Sequence, residues 1–402
     1  MALIVQKFGG SSVADAQRIF HVAEIITKTY QQGNSVCVVL SAQGDTTDDL
    51  IEKAREINPD ASRREMDMLL SCGEQMSIAL MAMAIEKLGF PVVSLCAWQI
   101  GMATDSNHSA AHITKVDCER VKEELDRKRI VLAAGFQGVD RTGDITTLGR
   151  GGSDTTAVAL AVALQADLCQ IYTDVDGVYT SDPRIVPEAR KLSEITYDEM
   201  LELASMGAQV LHNRSVELAK SYGVQLEVLS SFTGNPGTIV KEVVKKVEKT
   251  YITGVAQDKK IARFALVGLE DVPGVAYKLF NLLAKGKINI DMIIQSLGHD
   301  ERKDIIFTVA DKDSMACARL LDENKDVLKY DHMDINTGVS KVSIVGAGML
   351  ENAGVAAKMF EALYQAHINI HMISTSEIKV SVLIDKEDSD RAVRVIHNIF
   401  FQ

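Results

Sequence analysis

The pattern of residues 274–293 recurs at 354–373. Gly274-Val275-Ala276 matches Gly354-Val355-Ala356, and Lys278, Phe280 and Leu283 match Lys358, Phe360 and Leu363 at the same spacing. Ile288-Asn289-Ile290 followed by Met292-Ile293 returns as Ile368-Asn369-Ile370 followed by Met372-Ile373. Unrelated helices share apolar periodicity readily, but not a glycine turn, a helix and a strand start in one register. The C-terminal part is therefore a duplication. β-rich runs precede both helices (264–268 and 342–346) and follow them (305–309 and 380–384), so each copy reads as a small α+β unit.

The first 240 residues have a different grain. Strands are expected at 2–5, 35–40, 92–96, 130–134, 168–173 and 225–229, and helices at 14–30, 48–57, 65–88, 114–127, 155–164, 197–206 and 209–222. Alternation of this kind predicts an α/β domain, a mostly parallel sheet with helices on both faces. In such sheets ligands sit beyond the carboxyl ends of the strands. A charged connector, Lys241-Glu242-Val243-Val244-Lys245-Lys246-Val247-Glu248-Lys249, separates the two regions.

The chemistry-bearing motifs fall at strand ends. Lys7-Phe8-Gly9-Gly10-Ser11-Ser12 follows the apolar run Ala2-Leu3-Ile4-Val5. Glycines admit backbone N–H groups close to an anion, lysine adds a mobile charge, and the next helix would aim its positive end there. The plain alternative is a turn that merely needs glycine. Thr146-Thr147-Leu148-Gly149-Arg150-Gly151-Gly152-Ser153-Asp154 joins flexible donors, an arginine suited to a carboxylate and an acid before an apolar helix. Ser153 or Asp154 could instead cap that helix, but one cap does not require Gly-Arg-Gly-Gly. Thr173-Asp174-Val175-Asp176-Gly177-Val178-Tyr179, with Asp182-Pro183-Arg184, offers acids for Mg²⁺ or ribose and an arginine for phosphate. The same residues are ordinary turn formers. Ser41 to Thr47 and Cys72-Gly73-Glu74 could supply contacts for a small polar substrate, though an acid placed like Glu74 is more often an ordinary residue of a helix turn.

At 402 residues the chain has room for two or three domains, and a net charge of −12 argues against nucleic acid or an anionic membrane as partner. The six cysteines, at 37, 72, 96, 118, 169 and 317, form no CxxC pair or His/Cys cluster, so no structural metal site is expected. Reduced thiols and the absence of a signal-peptide pattern predict a cytoplasmic protein.

Together the motifs at 7–12, 148–154, 173–179 and 182–184, with the tandem repeat behind them, resemble the aspartate kinases of the amino-acid kinase superfamily over essentially the whole chain. The resemblance implies a three-layer amino-acid kinase domain followed by two ferredoxin-like ACT modules. The boundaries would be 1–245 for the kinase domain, 246–260 for a connector and a strand joining the ACT region, 261–335 for ACT 1 and 336–402 for ACT 2. It implies phosphorylation of the β-carboxylate of L-aspartate by ATP with Mg²⁺, opening lysine, threonine and methionine synthesis. By carry-over Lys7 and Asp154 would be catalytic, with Asp154 organising the lysine. Ser41, Thr47, Glu74, Arg150, Gly151, Gly152 and Ser153 would hold aspartate, Glu74 on its ammonium and Arg150 on its α-carboxylate. Lys7, Phe8, Gly9, Gly10, Thr173, Asp174, Tyr179, Asp182, Arg184 and Gln209 would bind ATP. The charge logic suits phosphoryl transfer, which needs positioning and neutralisation rather than a protein nucleophile.

One departure is Gly207-Ala208-Gln209-Val210-Leu211-His212-Asn213-Arg214, where the family often has Lys and Pro at 209 and 213. Gln209 brings no charge to the nucleotide. The resemblance also implies lysine or threonine as feedback effectors and a dimer or larger homo-oligomer through the ACT modules. The effector site would use Asp271, Pro273, Gly274, Asn289, Ile290, Asp291 and Gln295, with Gly354, Asn369, Ile370 and Ser376 in the second copy. The second turn, Met349-Leu350-Glu351-Asn352-Ala353, differs from Glu270-Asp271-Val272-Pro273, so unequal effector binding is expected. A strand at 252–257 is expected to join the second module. The rival readings are another amino-acid kinase, of acetylglutamate or glutamate 5-kinase type, and a non-catalytic amino-acid sensor.

Overall fold

A computed structural model describes residues 2–204, 210–244, 251–297, 302–349 and 352–402 of the chain. Contacts divide them into two units. One holds 2–179, 191–204 and 210–244; the other holds 180–190 and 251–402.

The first unit is built on an eight-stranded sheet in the order Glu194–Thr196, Thr238–Lys241, Leu226–Ser230, Leu168–Thr173, Leu3–Phe8, Ser35–Leu40, Ile130–Ala134, Val92–Leu95. Neighbours pair in parallel except Leu226–Ser230 with Thr238–Lys241. The period-2 pattern of Ser35–Leu40 explains the layering. Val36, Val38 and Leu40 face a core with Val22 and Ile26 of the helix Ala16–Gln31 and Met81 and Ile85 of the helix Arg63–Lys87. The apolar helix Gly152–Leu164 packs on Leu3–Phe8, Ser35–Leu40 and Leu168–Thr173; ten of its residues are buried, as befits a helix apolar on nearly every side. Arg63–Lys87 is long and apolar enough to cross a membrane by length and composition, but half of its most apolar stretch is buried in the fold.

Several elements differ from expectation. Residues 114–127 are not one helix: Ile113–Val116 is a strand, and the helix is Glu119–Asp126. The β-branched pair Ile113-Thr114 favours the strand, and the Asp117 carboxylate accepts from the Glu119 N–H at 3.4 Å where the helix begins. That strand belongs to a small sheet absent from the sequence reading, in the order Ile113–Val116, Met102–Thr104, Gln137–Val139, Ile145–Thr147. The first helix starts at Ala16, after a 3-10 turn at Gly10–Val13, and the Asp15 carboxylate takes the Arg18 N–H at 2.9 Å. The helix expected at 209–222 begins at Asn213, and residue 209 lies outside the described residues.

In the second unit each copy of the repeat forms a four-stranded antiparallel sheet. The first is Ile290–Leu297, Arg302–Ala310, Ile261–Glu270, His332–Asn336. The second is Gly254–Asp258, Val339–Val345, Lys379–Asp385, Met372–Thr375. Gly254–Asp258 comes before the first copy in the chain yet completes the sheet of the second, so the two are interleaved. The glycines at the start of the two repeat helices share one backbone conformation, with φ +96° at Gly274 and +95° at Gly354. Both values lie in the left-handed region that glycine occupies without strain.

Candidate active site

The ends of four neighbouring strands converge on one place. Lys7, next to last in its strand, sets its Nζ 2.7 Å from Asp154 Oδ1, the side chains being 12% and 13% exposed. No donor besides the Lys7 ammonium reaches that oxygen among the described residues, so the ammonium alone balances it. Asp154 lies in the first turn of Gly152–Leu164. The cap position there is Gly151, with φ +68° and no side-chain cap. The capping role open to Ser153 and Asp154 is therefore not used, and both are left facing other groups.

Gly10 is demanded by packing. A Cβ there would fall 2.6 Å from the Ala42 carbonyl oxygen, and Gly44 N–H donates to the Gly10 carbonyl at 3.0 Å. The glycine turn is thereby pressed onto the 41–44 loop. Ser41 N–H donates to the Phe8 carbonyl at 3.2 Å, and Phe8 stacks on Tyr172 at 4.4 Å. Gly135, at the end of the next strand, admits Ser153, whose Oγ would lie 2.6 Å from a Cβ.

Glu74 projects from Arg63–Lys87 into the same loop. Its side chain is buried, at 3% exposure. Ala42 N–H donates to Oε1 at 3.1 Å, while Oε2 is buried without a hydrogen-bond partner. Burial pushes its pKa up to about 7, against the pull of the Ala42 bond. An unpartnered buried carboxylate oxygen beside a strand end is a place for a cation. Thr47 lies in the first turn of the helix Thr46–Ile57. Arg150 is exposed and makes no ion pair among the described residues.

The acidic turn after Leu168–Thr173 divides its roles. Asp176 is occupied by the Tyr179 hydroxyl at 2.8 Å, Lys191 Nζ at 3.3 Å and Asn235 Nδ2 at 3.2 Å, contacts that hold its carboxyl below the usual range, the tyrosine bond most of all. It is a structural hub. Asp174 is exposed and accepts from the Thr173 hydroxyl at 3.0 Å. Asp182 and Arg184 belong to the second unit and pair with each other at 2.7 Å. Gln209 lies outside the described residues.

Two residues that the motif reading passed over support this region. Asp67 lies two helical turns before Glu74 and is fully buried; it accepts from the Thr147 N–H at 3.0 Å and hydroxyl at 2.7 Å, and from the Ser109 N–H at 2.9 Å. Arg214 donates to the carbonyls of Leu148 at 3.1 Å and Ala111 at 2.9 Å. The ligand atoms of His108, Asp140 and Asp144 lie within 4.8 Å of one another. Asp140 is already saturated by Thr142, Ser106 and the Asp144 N–H, and Asp144 is paired with Arg64 at 2.6 Å. The cluster is a locked turn.

Among the residues expected at an effector site, Asp271 pairs with Lys303 at 2.7 Å. Asp291 pairs with Lys341 of the second copy, a lysine only 4% exposed. Asn289, Gln295 and Asn369 are exposed, Ile290 and Ile370 half-buried, and Ser376 closes the turn before Lys379–Asp385 with its N–H on the Lys379 carbonyl at 2.8 Å.

The chain matches the model of the amino acid kinase family over residues 2–230 and that of an ACT domain over 264–324 and 342–400. It is 50% identical over 405 residues to an aspartokinase of Mycolicibacterium smegmatis, spanning 100% of this chain and 96% of that one. It is 48% identical over 400 residues to an aspartokinase of Bacillus sp. strain MGA3, spanning 100% and 97%. Among solved structures it resembles Escherichia coli aspartokinase III in complex with aspartate and ADP, with a TM-score of 0.84, 25% identity and full coverage of both chains. The same enzyme in complex with lysine and aspartate gives a TM-score of 0.78 at 26% identity, again over both full chains.

Proposed function

The chain belongs to the aspartokinases, amino acid kinases that carry ACT domains, and on that premise we propose how its residues divide the phosphorylation of L-aspartate by ATP. Lys7 stabilises the charge on the transferring phosphoryl group, with the backbone N–H groups of Gly9 and Gly10 beside it. Asp154 keeps the ammonium aimed while no substrate is bound. Glu74 receives the ammonium of aspartate, and Arg150 its α-carboxylate by paired hydrogen bonds. Ser41, Thr47, Gly151, Gly152 and Ser153 complete the pocket, so that the β-carboxylate oxygen approaches the γ-phosphorus in line. Phe8, Thr173, Asp174, Tyr179, Asp182, Arg184 and Gln209 serve the nucleotide. Mg²⁺ fits this donor set as an ion carried on ATP oxygens, with Asp154 the carboxylate at hand; it would neutralise phosphate charge.

The observation that carries this reading is a pair of incomplete charges, one at the end of Leu3–Phe8 and one against the loop after Ser35–Leu40. Lys7 is held by a single carboxylate, and Glu74 has a buried oxygen with no partner. Alanine variants of Glu74 and Arg150 test it: aspartate affinity should fall far more than ATP affinity. Equal losses for both substrates would contradict the assignment.

We propose feedback inhibition by lysine, threonine or both through Asp271, Gly274, Asn289, Ile290, Asp291 and Gln295, and through Asn369, Ile370 and Ser376. This rests on the likeness to an enzyme crystallised with lysine. An effector acts only through its different affinities for the active and inactive states. A homo-oligomer assembled through the ACT modules, a kinase domain of 1–245 with ACT modules at 261–335 and 336–402, a role at the head of lysine, threonine and methionine synthesis, and a cytoplasmic location belong to the same proposal. The free cysteines favour the last.

A further inference from the structure

The loop that carries Arg150 has one backbone hydrogen bond of its own, from Gly152 N–H to the Gly149 carbonyl at 3.0 Å. Gly149 and Gly151, on either side of the arginine, both have positive φ, +77° and +68°. Glycine there permits the bend and also leaves it soft. Contacts from outside the loop add to that single bond in holding an exposed guanidinium in one geometry.

Two residues grip it from opposite sides in sequence. Before the loop, the Asp67 carboxylate holds Thr147 by both its N–H and its hydroxyl, at 3.0 and 2.7 Å. Its remaining acceptor capacity goes to Ser109, and His108 Nδ1 stands 3.1 Å away. A buried carboxylate with no lysine or arginine in direct contact among the described residues is costly unless such donors saturate it. Within the loop, Arg214 donates to the Leu148 carbonyl, and its second hydrogen bond, to the Ala111 carbonyl, ties that point to the strand-linking segment behind Ser109. Arg214 spends a guanidinium on two neutral carbonyls and makes no ion pair among the described residues. His212 beside it fills the space where a Cβ on Gly151 would stand, 2.2 Å from its Cγ.

Asp67 and Glu74 are seven residues apart on one helix, close to two full turns, so they share a face. The helix that presents the unpartnered Glu74 oxygen thus also anchors the loop of Arg150. We propose that Asp67 and Arg214 are positioning residues for aspartate recognition. They clamp the 147–151 loop so that Arg150 stands at a fixed distance from Glu74, the two groups that grasp the α-carboxylate and the ammonium. The inference rests on the assignment of Arg150 to aspartate.

The test is a double-mutant cycle in the full-length enzyme, read as kcat/KM for aspartate and KM for ATP. Arg214→Lys, and separately Thr147→Val, should lower kcat/KM for aspartate by roughly 10- to 100-fold, the loss expected when a binding group is misplaced by about 1 Å. KM for ATP should move less than about threefold, and Thr147→Ser, which keeps the hydroxyl on Asp67, should stay near wild type. In an Arg150→Ala background the same changes should add less than about threefold, because their effect passes through Arg150. Asp67→Asn should follow the same pattern where it folds, but the proposal stands or falls on the other two variants. Losses that multiply in the Arg150→Ala background, or an equal rise in KM for ATP, would overturn the inference while leaving Arg150 as a substrate ligand. An Arg150→Ala enzyme with wild-type aspartate affinity would overturn the assignment and the inference together.

Discussion

Each unit of the molecule holds a lysine–aspartate pair whose lysine is sheltered, and the two are built in opposite ways. At Lys7–Asp154 both partners are equally sheltered, at 12% and 13%, and the lysine sits beside a glycine turn open to a ligand. At Lys341–Asp291 the lysine is 4% exposed and the acid 41%. In the first pair the cation is the proposed working end, the group assigned to an incoming anion. In the second the cation is structural, locked in the middle of a strand, and the acid is the end that a ligand could reach. The repeat sharpens the point: 80 residues away the partners of Lys341 and Asp291 are Ile261 and His371, and His371 turns instead to Asp385 at 2.9 Å. A duplicated sequence has thus been made electrostatically one-sided.

If the contrast holds, breaking the pairs should give different phenotypes. The largest effect is expected for Lys7→Ala: kcat should fall by about 100- to 1000-fold, roughly 3–4 kcal/mol of transition-state stabilisation, with a small change in KM. Steady-state kinetics with both substrates checks this.

Next comes Glu74→Gln, which should cost about 10- to 100-fold in aspartate affinity, the range for a hydrogen bond to a charged group. Its pH dependence follows from a pKa of about 7. The protonated carboxyl cannot neutralise an ammonium, so wild-type affinity for aspartate should weaken as pH falls through about 7, and Glu74→Gln should lose that inflection. Stability has the opposite sign. A carboxyl whose pKa is raised on folding favours the fold fully below its ordinary value, near 4.5, and loses that contribution as pH rises through about 7. Glu74→Gln should therefore melt higher than wild type at pH 8, by on the order of 2–3 kcal/mol, but not at pH 4.5. Calorimetry at the two pH values reads it.

Asp291→Asn ranks third. It leaves Lys341 without its counter-ion, at a cost of about 1–3 kcal/mol. It should also desensitise the enzyme to lysine or threonine while uninhibited kcat stays largely intact. Inhibition curves beside thermal melts separate the two effects. The smallest change belongs to Lys341→Met: removing the buried charge while keeping its volume should alter stability by less than about 1 kcal/mol, because the desolvation cost disappears with the pair. A large loss on Lys341→Met, or wild-type regulation in Asp291→Asn, would break the contrast.

Much of the candidate site was legible because it is local. Lys7, Gly10, Arg150 and Asp154 lie at strand ends or helix starts, where glycine and charge in one short window report a ligand. The supports were not legible, since their partners are far off in sequence. Asp67 meets Thr147 across 80 residues and Arg214 meets Leu148 across 66. The central parallel sheet could be read from long apolar runs. The small sheet from Met102 to Thr147 could not, because strands of three or four residues show too little periodicity to compete with a helical pattern. The strand Gly254–Asp258 could be expected beside the second ACT module by resemblance only; nothing in its own five residues selects Val339–Val345 over a nearer partner.

The central claim is that Lys7 is the cation that meets the transferring phosphoryl group. Turnover of Lys7→Ala with saturating ATP and aspartate tests it most directly, with lysine or threonine binding measured on the same preparation as proof of an intact fold. A kcat at least about 100-fold below wild type is expected, with effector binding retained. Turnover near the wild-type value in that folded variant would contradict it.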